Sequence, residues 1–390
     1  MVRTGFDHEI LLLQGGGALG AYQAGVYEGL IEVGIAPTWV VGISIGAINS
    51  ALIAGNPPER RVERLREFWR RMSLDVTPPL PAWLDSLRPA ANYMAAMSAM
   101  TFGIQDFFTP RTPPPWFAPD GAEGALSMYD TSPLKSTLEE LVDFDLINNG
   151  PVRLSLGAVN VRMGTSVYFD TDSTPITVEH VRASGALPPG FPPVTIEGEQ
   201  YWDGGVVTNT PITYVADQRP MTTARIIQVD NFNAQGELPR NLGQVSERAK
   251  DIQYASRTRF NIDRLQELGE LAEAARRLLD KLPPELKSDP DAQKLASICD
   301  EHSWMVIRLI NRRPSRFGAV KDYEFSRATI EEAWAAGLED VRRSVAGWDQ
   351  VQPGQVGRGV LVYRPTETLS SPASAGDAGG SPLLEAMRRQ

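Results

Sequence analysis

Two short glycine-bearing runs hold the residues best suited to do chemistry. In LQGGGALG, residues 13–20, the consecutive glycines Gly15, Gly16 and Gly17 can turn backbone N–H groups toward an anion. In GISIG, residues 42–46, Ser44 stands between Gly42 and Gly46 in the spacing G-x-S-x-G. That spacing fits a nucleophile lifted on a sharp strand-to-helix turn. The first run also satisfies G-x-G-x-x-G through Gly15, Gly17 and Gly20, the fingerprint of a dinucleotide-binding turn. The anion is therefore either a cofactor pyrophosphate or the oxyanion of a reaction intermediate. A dinucleotide site needs an acid at the end of its second strand, about 20 residues on, to hold the ribose. Glu32 is near that distance but closes a predicted helix ahead of Pro37, and the second strand ends in GISIG itself. The pair of runs therefore favours acyl chemistry, with Ser44 attacking a carbonyl and Gly15–Gly17 forming the oxyanion hole.

A hydroxyl is a weak nucleophile until a neighbour takes its proton. The chain has three histidines, His8, His180 and His302. His8 precedes the first predicted strand, at the wrong edge. His180 and His302 follow the serine, as an α/β-hydrolase order requires, but neither sits in a glycine-rich turn. Asp203, in YWDGGVV, is the better candidate base, because the two glycines after it let a carboxylate approach closely. Alone, an Asp-Gly pair is usually a surface turn; beside the two loops it reads as part of the site.

These residues need a scaffold that brings loop ends together. Residues 9–13 read as a buried strand, and AYQAGVYEGLIEVG as a helix with a stripe of Tyr22, Val26, Leu30 and Val33. TWVVG then reads as a second buried strand and ISIGAINSALIAG as a second helix. Strand–helix–strand–helix at this spacing predicts a parallel α/β sheet with right-handed crossovers, so both loops open at one edge. Further on, RLSLGAVNV and TSVYFDT flank RMG as a hairpin, YWDGGVVTNTPI reads as a turn-rich loop, and ARIIQVDNF and WMVIRLINR read as later strands. Asp130 or Thr131 is expected to cap a helix in YDTSPLKSTLEELV, and Ser326 one in FSRATIEEAWAAGLEDVRRSV. Residues 77–119 are rich in proline, aromatics and methionine, the mix of a lid or apolar pocket. Residues 234–350 read as a mostly helical extension packed on a hydrolase domain at 1–233, and 366–390 as a disordered tail.

Composition limits the partners. The net charge of −10, from 38 basic and 48 acidic residues, argues against a nucleic-acid partner. It leaves open peripheral membrane contact through apolar side chains. The single cysteine, Cys299, excludes an intrachain disulfide and reads as a buried thiol. No run is long enough for a signal or transmembrane segment, so a cytoplasmic location is expected. No calcium-loop pattern is present, and Asp170 and Asp172 in FDTDS read as a solvated hairpin end rather than a metal site. No cofactor or metal is expected.

Taken in order, GGGALG, GISIG, VRASGALPPGFPPV and WDGGVVTNTP resemble the patatin-like phospholipase family over roughly residues 8–233. The resemblance implies a three-layer α/β fold with a mainly parallel central sheet and a Ser–Asp dyad without histidine. Ser44 would be the nucleophile, Asp203 the base and Gly15–Gly17 the oxyanion hole. Lipid or another acyl ester would be the substrate, cleaved through an acyl-enzyme. Many members carry Arg or Lys where this chain has Leu19, so no preference for an anionic head group is implied. The stretches ELPRNL, DIQYASRTRFN and KDYEFSRATIEEAWAAG resemble a bacterial subgroup associated with 3-hydroxybutyrate metabolism. Three alternatives stay open at this point: an acyltransferase or hydroxyalkanoate-ester hydrolase on the same site, a silent lipid-binding scaffold, and an oligomer built through the extension.

Overall fold

The computed structural model describes residues 5–75, 87–218, 223–299, 303–312, 318–348 and 359–363, with positions 351 and 356. His302, the start of the proline-rich insertion (77–86) and the tail from 366 lie outside the described residues.

The apolar run at residues 9–13 forms β1 (His8–Leu13), buried at every position after the first. A strand with no polar face must be covered on both sides. Leu11 and Leu13 face one core, while Ile10 and Leu12 face another. Helix α1 (Gly20–Glu32) crosses to β2 (Trp39–Ile43), and α2 (Ile45–Ala54) and α3 (Arg61–Met72) follow. The described part of the insertion holds α4 (Arg88–Phe102) and a short antiparallel ladder of β3 (Thr109–Pro110) with β4 (Tyr129–Asp130). Next come α5 (Ser132–Leu141) and α6 (Phe144–Asn149). At the start of α5 the Asp130 carboxylate, rather than Thr131, accepts from Ser132 N at 3.0 Å. The predicted hairpin is β5 (Arg153–Asn160) with β6 (Thr165–Asp170). Then come α7 (Val178–Ser184), β7 (Val194–Ile196), β8 (Glu199–Asp203), α8 (Ile212–Asp217) and β9 (Thr223–Asp230). The last third supplies α9 (Leu242–Leu279), α10 (Pro290–Ile298), β10 (Ser303–Ile310), α11 (Arg327–Trp348) and β11 (Gly359–Tyr363).

One sheet runs β11–β10–β9–β1–β2–β5–β8–β7, with β6 also paired to β5. Every pairing from β11 to β5 is parallel, and β6, β7 and β8 are antiparallel. The mainly parallel α/β core of the sequence reading is therefore present, with helices on both faces. The chain leaves β1 toward β2 on one side and returns as β9 on the other. That makes the carboxyl end of β1 a topological switch point, where α/β sheets open a crevice.

Four sequence readings change. First, α1 is buried on nearly all sides rather than along one stripe, because α11 lies over its outer face. A Cβ on Gly25 would collide with the Trp334 backbone and one on Gly337 with the Tyr22 carbonyl, so the two helices touch main chain to main chain. Tyr22 Oη donates to Asp340 at 2.7 Å across that contact. Second, the mostly helical C-terminal region adds, beside the late strand expected at WMVIRLINR (β10), a strand at GVLVY (β11) that was not read. Third, the segment read as a turn-rich loop begins as strand β8. Fourth, Asp170 is not solvated: it is buried and accepts from Arg153, Ser155 Oγ at 2.5 Å and Tyr214 Oη at 2.6 Å. Burial raises its pKa, but those hydrogen bonds outweigh burial and leave it below the usual carboxylate range. Asp172 is exposed and pairs with Arg153 at 3.0 Å. No helix among the described residues is long and apolar enough to cross a membrane.

Candidate active site

Ser44 sits at the junction of β2 and α2 with φ 59° and ψ −127°, a backbone conformation that an L-residue adopts at a cost of about 1–3 kcal/mol. Its surroundings hold it there. Ser44 N donates to both the carbonyl and the Oγ of Ser184 at 3.1 Å, and Ser184 Oγ donates to Gly157 O at 2.6 Å. Its carbonyl accepts from Ala47 N at 2.9 Å, starting α2. Neither flanking glycine has room for a side chain. A Cβ on Gly42 would strike the Gly46 backbone, and one on Gly46 would strike the Leu13 carbonyl oxygen at the end of β1. The elbow thus packs backbone to backbone on the strand that leads into the glycine loop. Gly46→Ala is accordingly expected to cost about 2–3 kcal/mol of stability, since β1 and α2 must separate to admit a methyl group. A urea titration read by tryptophan fluorescence checks this; an unchanged midpoint would mean that the contact is soft.

The glycine loop is anchored from behind. Gln14 accepts through Oε1 from Asn231 N at 2.7 Å and donates through Nε2 to Thr210 Oγ1 at 3.1 Å. Asn231 Nδ2 donates to the carbonyls of Gln14 at 3.1 Å and Gly15 at 3.2 Å, and Asn209 Nδ2 donates to Gly15 O at 3.4 Å. In a trans peptide the N–H points opposite the carbonyl. With Gly15 O drawn toward these two amides, Gly16 N–H faces away from them, and no acceptor among the described residues is paired with it. A Cβ on Gly15 would stand 3.1 Å from Ser44 Cβ, which sets the loop against the serine.

Asp203 closes β8, opposite Ala158 of β5, and is 1% exposed. Its N–H donates to Ala186 O at 2.9 Å, and its Oδ1 accepts from Gly205 N at 2.7 Å. Burial raises its pKa to about 6, against the lowering effects of a side-chain hydrogen bond from Ser44 and the Gly205 N–H. The sheet sets Asp203 and Ser44, 159 positions apart in the sequence (203 − 44 = 159), on one cavity lining.

Gly16, Gly17, Ser44 and Asp203 line one cavity of about 700 Å³, its solvent-filled mouth included. Its apolar wall comes from Phe107, Phe108, Leu187, Phe191 and Phe325, with Phe108 and Phe191 ring centroids 5.3 Å apart. Several residues in or behind the cavity lining escaped sequence reasoning. Asn209 lies in WDGGVVTNTP and Ser184, behind the elbow, in VRASGALPPGFPPV; both stretches had been singled out as motifs but without a role for these side chains. Tyr254, Asp322, Tyr323 and Phe325 come from the extension, and nothing local in the sequence tied them to the serine. Asp322 is held by Lys250 Nζ at 2.7 Å, and its carbonyl lies against Gly17. Leu19 is buried with Phe232 and Ala255 beneath α9.

The rejected candidates lie elsewhere. His8 starts β1 at the far edge of the sheet. His180 is buried in α7, its Nδ1 accepting from Thr177 N at 2.9 Å and its ring 4.5 Å from Phe169; burial lowers its pKa. Glu32 pairs with Arg342 at 2.8 Å at the far end of α1, away from the ribose position of a dinucleotide site. Cys299 is half-buried rather than buried, and its Sγ donates to Ala272 O at 3.3 Å. Among the described residues no group of three or more His, Cys, Asp or Glu could hold a metal ion.

The profile of patatin-like phospholipases matches residues 11–216, more than half of the chain. The chain belongs to the patatin-like phospholipase family. A second profile, described as a patatin phospholipase, matches residues 252–355, so the C-terminal region is itself a recognised part of such proteins. Among solved structures, the chain is similar to VipD from Legionella pneumophila, at 16% identity and a TM-score of 0.34. That similarity covers 86% of this chain and 66% of VipD, so the chain spans about two thirds of that protein's length. Comparison with curated proteins finds no match. Membership of a hydrolase family supports enzymatic activity of the phospholipase or esterase type.

Proposed function

We propose that this patatin-like protein is a serine acyl-ester hydrolase of lipids that works through a Ser44–Asp203 dyad. The observation that carries the reading is the buried Asp203, raised to about 6, lining one cavity with a serine on a strained turn beside the glycine loop. A base with that pKa is largely ionised at neutral pH and still basic enough to take a proton.

Asp203 accepts the Ser44 proton as Oγ attacks the ester carbonyl. The carbonyl oxygen becomes an oxyanion facing the N–H groups of the glycine loop, each donor contributing about 3–4 kcal/mol in comparable sites. The tetrahedral intermediate collapses, the C–O bond to the alcohol breaks, and the proton on Asp203 passes to the departing oxygen. Water then enters and gives a proton to Asp203; its oxygen attacks the acyl-serine, and the acid leaves as Ser44 recovers its proton. The aromatic wall of Phe107, Phe108 and Phe191 would take the acyl chain. The same insertion exposes Met94 at 70%, Phe102 at 75%, Trp116 at 69% and Phe117 at 73%, apolar surface suited to contact with aggregated lipid.

Labelling with a fluorophosphonate followed by peptide mapping tests the assignment. One adduct on Ser44 is expected, and protection by a long-chain acyl ester. An adduct on any other serine would remove Ser44 from the mechanism.

A further inference from the structure

The far half of α9 carries a face that nothing in the described chain covers. Ile262 and Gly269 mark its buried side, and α10 packs against α9, with Cys299 bonded to Ala272 O on the flank between that side and Leu268. At 100° per residue, Leu268, Leu271 and Leu278 project on the opposite side, and they are 46%, 60% and 57% exposed. Single exposed leucines need no explanation. These three, with Ala275 between them, occupy successive a, d, a and d positions of two heptads, the seam that a second helix fills.

The charges beside the seam select the occupant. The g positions are Glu267, Ala274 and Lys281, the last in the turn that closes the helix. Laying this helix antiparallel on a second copy of itself, about a two-fold axis near residue 273, sets Leu268 opposite Leu278 and Leu271 opposite Ala275. The same register sets Glu267 diagonally across the seam from Lys281, two residues from direct opposition. Apolar layers and opposite charges thus come from one alignment, which makes the face complementary to itself. A parallel pairing would put Glu267 beside Ala272 and Ala274 beside Leu279, leaving Glu267 only Arg264 of its own helix at 3.3 Å and giving Lys281 no acid across the seam. We propose that two copies of this chain associate through an antiparallel pairing of their α9 helices along this seam. Leu268 lies roughly 20 Å along the helix from Tyr254 in the cavity wall, so the pairing leaves both cavities accessible. Two heptads make a small interface, and association is therefore concentration-dependent.

Sedimentation equilibrium of the full chain reads this out. The weight-average mass is expected to climb from 42.8 kDa toward twice that value as concentration rises from about 1 to about 200 µM. Leu271→Glu, on an exposed helix face that folds without it, is expected to stay at single-chain mass. Lys281→Glu should weaken association at least about tenfold, and Glu267→Lys with Lys281→Glu should restore it. Wild-type protein that remains at single-chain mass throughout would overturn the proposal. So would a double reversal that fails to restore what the single reversal removed. Loss of wild-type vesicle binding in Leu271→Glu, without change of mass, would assign the seam to lipid and likewise overturn it.

Discussion

Ser44→Ala is expected to lower hydrolysis of an activated acyl ester by about four orders of magnitude or more, with the thermal midpoint unchanged. In hydrolases built on an activated serine, removing the nucleophile leaves only what binding and the oxyanion donors supply. The substitution deletes one oxygen and keeps the φ of 59° and the Ser184 contacts to the backbone, so neither strain nor packing is altered much. Ser44→Gly should be equally inactive and also more stable, by about 1 kcal/mol, because glycine occupies that backbone region at little cost. Turnover measured on material free of contaminating esterase, with parallel melts, decides the matter. Residual activity of even a tenth of wild type in either variant would show that another group attacks the ester.

Asp203→Asn carries the second large effect, and its sign differs between activity and stability. Turnover should drop by about 10³-fold or more, since the amide cannot take the serine proton. In the wild-type protein kcat/KM should rise with pH through an acid limb near 6, the value to which burial pushes this carboxyl, and flatten above it. Stability runs the other way. An acid whose folded pKa is raised from 3.8 to about 6 holds its proton more tightly folded than unfolded. Stability from this group is full below about pH 4, falls as pH rises through 6, and is then lower by roughly 3 kcal/mol. The amide that replaces the carboxylate has no charge to bury, so the variant should melt at a higher temperature than wild type at pH 8 and lose that advantage at pH 4. His180→Ala should keep near-normal turnover, its ring being engaged with Thr177 in α7. A His180 variant that lost activity while Asp203→Asn retained it would replace the dyad by a conventional triad.

The sequence carried the site further than it carried the enclosure. Gly42, Ser44 and Gly46 were legible because a nucleophile elbow needs two glycines at fixed offsets, and both prove to abut backbone. The β1–α1–β2–α2 order was legible because a strand buried on both faces is apolar at every position. Asp203 was legible only in company, since a carboxylate before two glycines has many uses. The sequence could not say that burial would lift its pKa. Asp170 was misread although Arg153 and Ser155 stand on the partner strand of the predicted hairpin, because the reading followed the turn and not the cross-strand register, and Tyr214, 44 residues on, has no local sign. Helix α1 was misjudged for a similar reason. Its outer face has Gly25 and Gly29 where a solvent-facing helix would carry charge, a sign of a covering helix that lay some 310 residues downstream (334 − 25 = 309). Tyr254, Tyr323 and Phe325 lie in stretches the resemblance singled out, but nothing in those stretches tied them to the wall, because a pocket lining is defined by convergence and not by spacing.

The main-chain contact of α11 with α1 has a consequence for how the protein comes into being. A ribosome releases the serine loop and Asp203 long before it releases Trp334, the residue whose backbone seats against Gly25. Until then α1 has a bare flank, and the crevice lacks the side formed by Asp322, Tyr323 and Phe325. Translation thus supplies Ser44 and Asp203 early and their enclosure late, and the nascent chain holds an open crevice until the residues around 322–334 have emerged.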